Sequence, residues 1–100
     1  MAVRNIGYSR AMLIHRKIKV FGRVQGVSFR DAASKEAERL GVSGFARNEP
    51  DGTVYIEAEG EDGSLEEFIL WCWHGPPASG VERVEVSADK PAGFRSFVAE

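Results

Sequence analysis

Two short segments of this chain carry residue types whose spacing suits the handling of a phosphate group. The first is VFGRVQGVSFR, Val20 to Arg30, a strand-like stretch that passes through a glycine-containing turn into a helix-like one and ends on an arginine in the first helical turn. Consecutive N–H groups in a strand-to-helix turn can converge on one oxyanion, and a helix start adds unpaired donors and a partial positive charge. Gln25, Gly26, Val27, Ser28, Phe29 and Arg30 are the residues placed to supply those amides. Gly26 gives the turn access to positive φ. Val27 and Phe29 are expected to anchor the loop by packing inward, and Ser28 to cap the helix with Asp31 three residues on.

Arg30 is the informative choice. A cation in the first turn opposes the helix dipole, at a cost of roughly 0.3 to 1 kcal/mol at an exposed site. A bound phosphate offsets that cost, because guanidinium presents a planar fork of donors and stays charged at any working pH. The alternative is a solvated arginine paired with a nearby acid. The segment lacks the Gly-Lys-Ser/Thr ending of a nucleotide-binding P-loop.

The second segment is GFARNEPDGTVYIEAEG, Gly44 to Gly60, centred on Asn48. Asparagine before a Pro-Asp-Gly turn is common for structural reasons alone. Its amide can also orient a water without removing a proton. No histidine or well-placed carboxylate stands in the loop: Asp31 belongs to the helix start, Glu49 and Asp51 to the turn, so general acid–base catalysis is not evident. A carboxylate leaving group departs unprotonated near neutral pH, whereas an alkoxide needs an acid or a metal. Acyl phosphates therefore suit such a site better than phosphate monoesters.

Composition narrows the rest. One hundred residues make one domain (1–100), which at this size buries roughly 60 to 70% of the unfolded chain's surface. The single Cys72 excludes an internal disulfide, and with only His15 and His74 beside it a structural zinc site would need carboxylates too. No metal and no cofactor are expected. A net charge of −2 and a pI near 5.7 lack the basic surplus of a general nucleic-acid binder. With no apolar stretch long enough to span a bilayer, the expectation is a cytoplasmic monomer that binds neither nucleic acid nor membrane.

The elements that must position these residues emerge from periodicity. Residues 1–14 read as a flexible leader or an extra strand. From His15 the chain alternates, Ile18, Val20 and Gly22 against Lys17, Lys19 and Phe21, as a strand covered on one side does. Phe29, Ala32, Ala33, Ala37 and Leu40 recur at helical spacing up to a C-cap Gly41. Gly44–Asn48 and Thr53–Glu59 form a hairpin with Val54, Ile56 and Ala58 inward. Ser64 and Glu67 make a capping box for a second helix with the stripe Leu65, Phe68, Ile69, Cys72 and Trp73. Val84, Val86 and Ala88 alternate in a fourth strand, and Phe94–Val98 offers a fifth. Trp71 and Trp73 are assigned to packing, and Cys72 to the core.

The order strand, helix, strand, strand, helix, strand is that of the ferredoxin-like split βαβ motif, an α+β fold with an antiparallel sheet of four to five strands and two helices on one face. The loop after the first strand and the end of the second then lie at one edge, which brings Arg30 and Asn48 together. VQGVSFR, and GFARN with the spaced Gly52, Val54 and Gly60, resemble the paired signature of the acylphosphatase family, from the first strand to the last. The resemblance implies metal-free hydrolysis of acyl phosphates to carboxylate and inorganic phosphate, with Arg30 binding the phosphoryl group and Asn48 positioning the attacking water. Backbone amides of Gln25 to Arg30 complete the cradle. Departures are the long leader and Ser28, at a position often aromatic in the family. Two rivals stand: a non-catalytic phosphate or acyl-phosphate sensor, and an RNA-binding module suggested by GFRSFV (Gly93–Val98), although that stretch lies on the wrong strand.

Overall fold

The computed structural model describes residues 12–100, so most of the expected leader lies outside the described residues. Apolar alternation produces β1 (Ile14–Arg23), with Ile18 and Val20 fully buried. In α1 (Phe29–Leu40), Phe29, Ala33 and Ala37 form the buried stripe. The helix ends as expected at Gly41, where the Gly41 and Val42 N–H groups donate to the Glu38 and Ala37 carbonyls at 3.3 and 2.8 Å. β2 (Ser43–Asn48) and β3 (Val54–Gly60) form the hairpin, with Val54, Ile56 and Ala58 buried. In its turn the Asp51 carboxylate accepts from the Thr53 hydroxyl and N–H at 2.6 and 3.0 Å.

The second helix differs in detail from expectation. α2 (Asp62–His74) starts ahead of Ser64, with Glu61 at the N-cap making no side-chain cap bond and Asp62 supplying the first-turn acid. Ser64 lies inside the first turn and does not cap. Leu65, Phe68 and Cys72 are buried. Trp71, three residues after Phe68 and thus on its side of the helix, packs between Phe68 and Phe29 with centroid distances of 6.2 and 5.3 Å. Trp73 falls on the flank and is 48% exposed, so it is not part of the packed stripe.

β4 (Gly80–Asp89) and β5 (Phe97–Ala99) complete a five-stranded sheet of order β4-β1-β3-β2-β5. The first four strands pair antiparallel, as the ferredoxin-like reading requires, while β5 joins the outer side of β2 in parallel, making the sheet mixed. On edge strand β4 only Val84 is buried; Val86, two residues on in the same alternation, is exposed. Both helices cover one face, where Ile18, Val20, Ala46, Val54 and Ile56 meet Phe29, Ala33, Leu65, Phe68 and Cys72 in one core.

The opposite, helix-free face carries the polar partners of that alternation. At the start of β1, His15 is 1% exposed. Its Nδ1 lies 2.8 Å from Glu59 Oε1 and its Nε2 2.8 Å from Glu57 Oε1. Ionised carboxylates only accept, so carboxylates on both ring nitrogens favour the doubly protonated imidazolium form of His15. Burial alone would lower its pKa, but the hydrogen bonds to Glu59 and Glu57 outweigh it and hold it above the ordinary value. Glu59 also accepts from the Ala92 and Gly93 N–H groups at 2.6 and 2.9 Å, and Tyr55 donates its hydroxyl to Glu57 at 2.6 Å. Phe94 stacks over the His15 ring at 5.6 Å. The segment between β4 and β5 is thereby strapped down over the cluster.

Candidate active site

The phosphate-loop segment leaves the sheet through a kink. The β1–β4 register shifts between Phe21 and Gly22, and Gly22, at φ 124°, passes so close to Gly80 that a Cβ would collide with the Gly80 carbonyl oxygen. Such a bulge bends the strand and re-aims the loop that leaves it. Val24 and Phe29, each 1% exposed, then pin the two ends of the loop into the core, and Val27 is partly buried against it. Between these anchors Gly26 and Ser28 are exposed and Gln25 is part-buried.

Left-handed residues at alternate positions shape the loop: Gly26 has φ 75° and Ser28 φ 63°. Ser28 is the only non-glycine residue with positive φ among the described residues, a conformation that costs on the order of 1 kcal/mol and gathers at functional sites. It occupies the N-cap of α1, yet its hydroxyl makes no cap bond, contrary to expectation. Its contribution is main-chain, since its carbonyl accepts the Ala32 N–H at 3.0 Å. Among the described residues, none of the N–H groups from Gln25 to Arg30 donates to a backbone carbonyl outside the regular elements. Alternating handedness with unpaired N–H groups is the geometry of an anion nest.

Arg30 and Asn48 line one open cleft of ≈ 230 Å³ together with Val24, Gly26, Ser28, Phe29 and Asp31. Asp31, read from sequence as a helix-start acid only, also borders it. Arg30 Nη1 donates to the main-chain oxygen of Glu100, so its partner is not an acidic side chain. Asn48 stands exposed at the end of β2, paired with Val54 of β3.

The acids near Asn48 are engaged elsewhere. Arg47 Nε donates to Glu49 at 2.6 Å, and Asp51 meets Lys19 at 3.0 Å. The bonds from Thr53 and the Lys19 ammonium bring the Asp51 pKa down to about 2. Cys72 is fully buried, and burial pushes its thiol pKa up, which removes it as a nucleophile. Among the described residues no group of three or more His, Cys, Asp or Glu is arranged to hold a metal ion.

Two contacts escaped the sequence reading. The Glu100 oxygen beside Arg30 had no local signal, because the two residues lie 70 positions apart. Gln25, assigned only a backbone amide, also directs its side chain out of the loop: Nε2 donates to the Glu49 and Thr53 carbonyls at 2.8 and 3.0 Å.

Comparison with known proteins places this architecture among related chains. The acylphosphatase family profile matches residues 16–99. An acylphosphatase from Nocardioides sp. is 52% identical over 80 residues, covering 80% of this chain and 81% of the relative. Among solved structures, an acylphosphatase from Coxiella burnetii superposes with a TM-score of 0.85 at 32% identity, covering 88% of this chain and 93% of that one. The crystal structure of acylphosphatase from Bacillus subtilis gives 0.84 at 36%, covering 89% and 99%.

Proposed function

Because this chain belongs to the acylphosphatase family, we propose that Arg30 and Asn48 are its catalytic residues and that the Gln25–Arg30 amides hold the phosphoryl group. The reaction is that of the family, hydrolysis of an acyl phosphate to a carboxylate and inorganic phosphate. Supporting the residue roles is one observation above others: Gly26, Ser28 and Phe29 of the loop line a single cleft together with Arg30 and Asn48.

In this reading the phosphoryl oxygens lie in the loop, and Arg30 with the amides stabilises charge on the equatorial oxygens as the transition state forms. Asn48 orients a water for in-line attack on phosphorus. The new P–O bond forms as the bond to the acyl oxygen breaks, and that electron pair leaves with the carboxylate. The water's proton passes to a phosphoryl oxygen of the substrate. We further infer a monomer working in the cytoplasm without nucleic-acid partners, the last of these supported by the acidic pI.

Benzoyl phosphate hydrolysis in ¹⁸O-labelled water with excess chelator tests this. Label in phosphate, activity that resists the chelator and its loss in folded Arg30→Ala are the expected results. Label in benzoate would overturn attack at phosphorus. Binding of phosphate without turnover by the wild type would favour a sensor.

A further inference from the structure

The two halves of the cleft do not come from neighbouring strands. Arg30 and the loop come after β1, Asn48 ends β2, and β3 lies between those strands in the sheet. The ladder registers Asn48 against Val20 through Val54, but the loop residues after Arg23 lie outside it. Gln25 crosses that gap. Its Nε2 donates at 2.8 Å to the Glu49 carbonyl, the residue after Asn48, and at 3.0 Å to the Thr53 carbonyl, the residue before β3. Those two positions close the mouth of the hairpin turn, where the Glu49 N–H donates to the Thr53 carbonyl at 2.9 Å and the Gly52 N–H to the Glu49 carbonyl at 3.1 Å. Both protons of one primary amide are thus used on the base of the loop that bears Asn48.

We infer that Gln25 is a positioning residue, a latch whose side-chain amide registers the Asn48 hairpin against the phosphate loop so that the water is held in line with the phosphorus. This rests on the roles assigned above to Arg30 and Asn48. The other tie from β1 to the same turn, Lys19 to Asp51, joins two half-exposed side chains and is screened by solvent and salt. Gln25 is part-buried, and among the described residues it alone links the loop to the hairpin by side-chain hydrogen bonds. A displacement of about 1 Å in a reacting group can cost on the order of 100-fold in rate. A latch at this place therefore acts on turnover more than on phosphate affinity, which the loop amides and Arg30 supply.

The test is a double-mutant cycle on the full chain, with Gln25→Met, which keeps the length and loses both donors, and Asn48→Ala. Benzoyl phosphate turnover, competitive inhibition by inorganic phosphate and thermal melting are read for each variant. Gln25→Met is expected to lower kcat about 10- to 100-fold and to leave phosphate inhibition within about 3-fold. In the Asn48→Ala background the same change should cost less than about 2-fold, because a latch has nothing left to align. Gln25→Leu, which likewise offers the two carbonyls no donor and adds no charge beside the phosphate loop, should reproduce the kcat loss and gives a second measurement if the Met variant melts early. Unchanged kcat would overturn the inference, as would additive losses or phosphate affinity falling in step with kcat. Wild-type turnover in Asn48→Ala would instead remove the asparagine role and the latch with it, an outcome distinct from a normal Asn48→Ala loss beside an unaffected Gln25→Met.

Discussion

The two ends of β1 treat charge in opposite ways. At its start, the His15 imidazolium is closed in by Glu57 and Glu59, and Glu59 is in turn satisfied by two strap amides. At its far end, the loop presents N–H groups with no backbone partner among the described residues, a serine in a left-handed conformation and the Arg30 side chain at the helix start. Where every polar group has its partner the sheet gains rigidity; where partners are withheld, capacity for an incoming anion remains. A cluster of ionisable residues by itself would have drawn attention to the other end.

The contrast predicts a separation of effects, with activity lost at one end and stability at the other. The largest expected change is Arg30→Ala, which should reduce kcat/KM by about 10³-fold or more while the melting temperature moves by only a few degrees; steady-state kinetics beside calorimetry check both. Comparable losses of stability and activity would break the comparison. Next, Asn48→Ala should lower kcat about 10²- to 10³-fold, with inhibition by inorganic phosphate retained.

Glu59→Ala sits on the other side. It leaves a buried imidazolium short of one partner and frees the strap, so denaturant titration should show a loss of about 3 kcal/mol, with kcat of the folded protein changed less than about 3-fold. The smallest effect is pH dependence. His15 has a folded-state pKa above its ordinary 6.5, so its contribution is full below that value and is lost as pH rises through the folded-state pKa. Glu57 and Glu59 are lowered from 4.5 despite burial, by the Tyr55 and His15 bonds and by the Ala92, His15 and Gly93 bonds respectively. Their contribution is present above 4.5 and is lost as pH falls through their folded-state values. The cluster thus stabilises most between these limits. Melting curves of the wild type against His15→Gln should show a stability advantage that shrinks on the alkaline side, and an advantage that grows there would contradict the imidazolium.

Much of this was legible in the chain. The loop declares itself because its requirements are local: a glycine at the turn, apolar anchors on either side and an arginine at the helix start. The hairpin before and after Pro-Asp-Gly rests equally on short-range chemistry. What stayed hidden depends on residues far apart. His15, Glu57 and Glu59 alternate like a solvated strand face, and only a strap from residues 90–94 turns that face into an interior. The Ser64–Glu67 pattern lost to a helix start at Asp62, and Trp73 lost its packing place to Trp71, because the position of the core stripe is set by what α1 and the sheet offer. At Ser28 the residue type suggests a capping hydroxyl, whereas the backbone conformation is the relevant property.

The strand order also has a kinetic side. β1, near the start of the described chain, pairs with β4 near its end, so that His15 lies opposite Asp89 and Val20 opposite Val84. Closing so long a loop is slow relative to forming a hairpin or a helix, and pairings remote in sequence place a domain toward the slower part of the folding spectrum. The β2–β3 hairpin and the two helices can fluctuate into shape early, but the phosphate loop acquires its kink at Gly22 only when β4 docks. Catalytic competence should therefore return with the slowest refolding phase, lagging behind recovery of helical signal in a stopped-flow experiment.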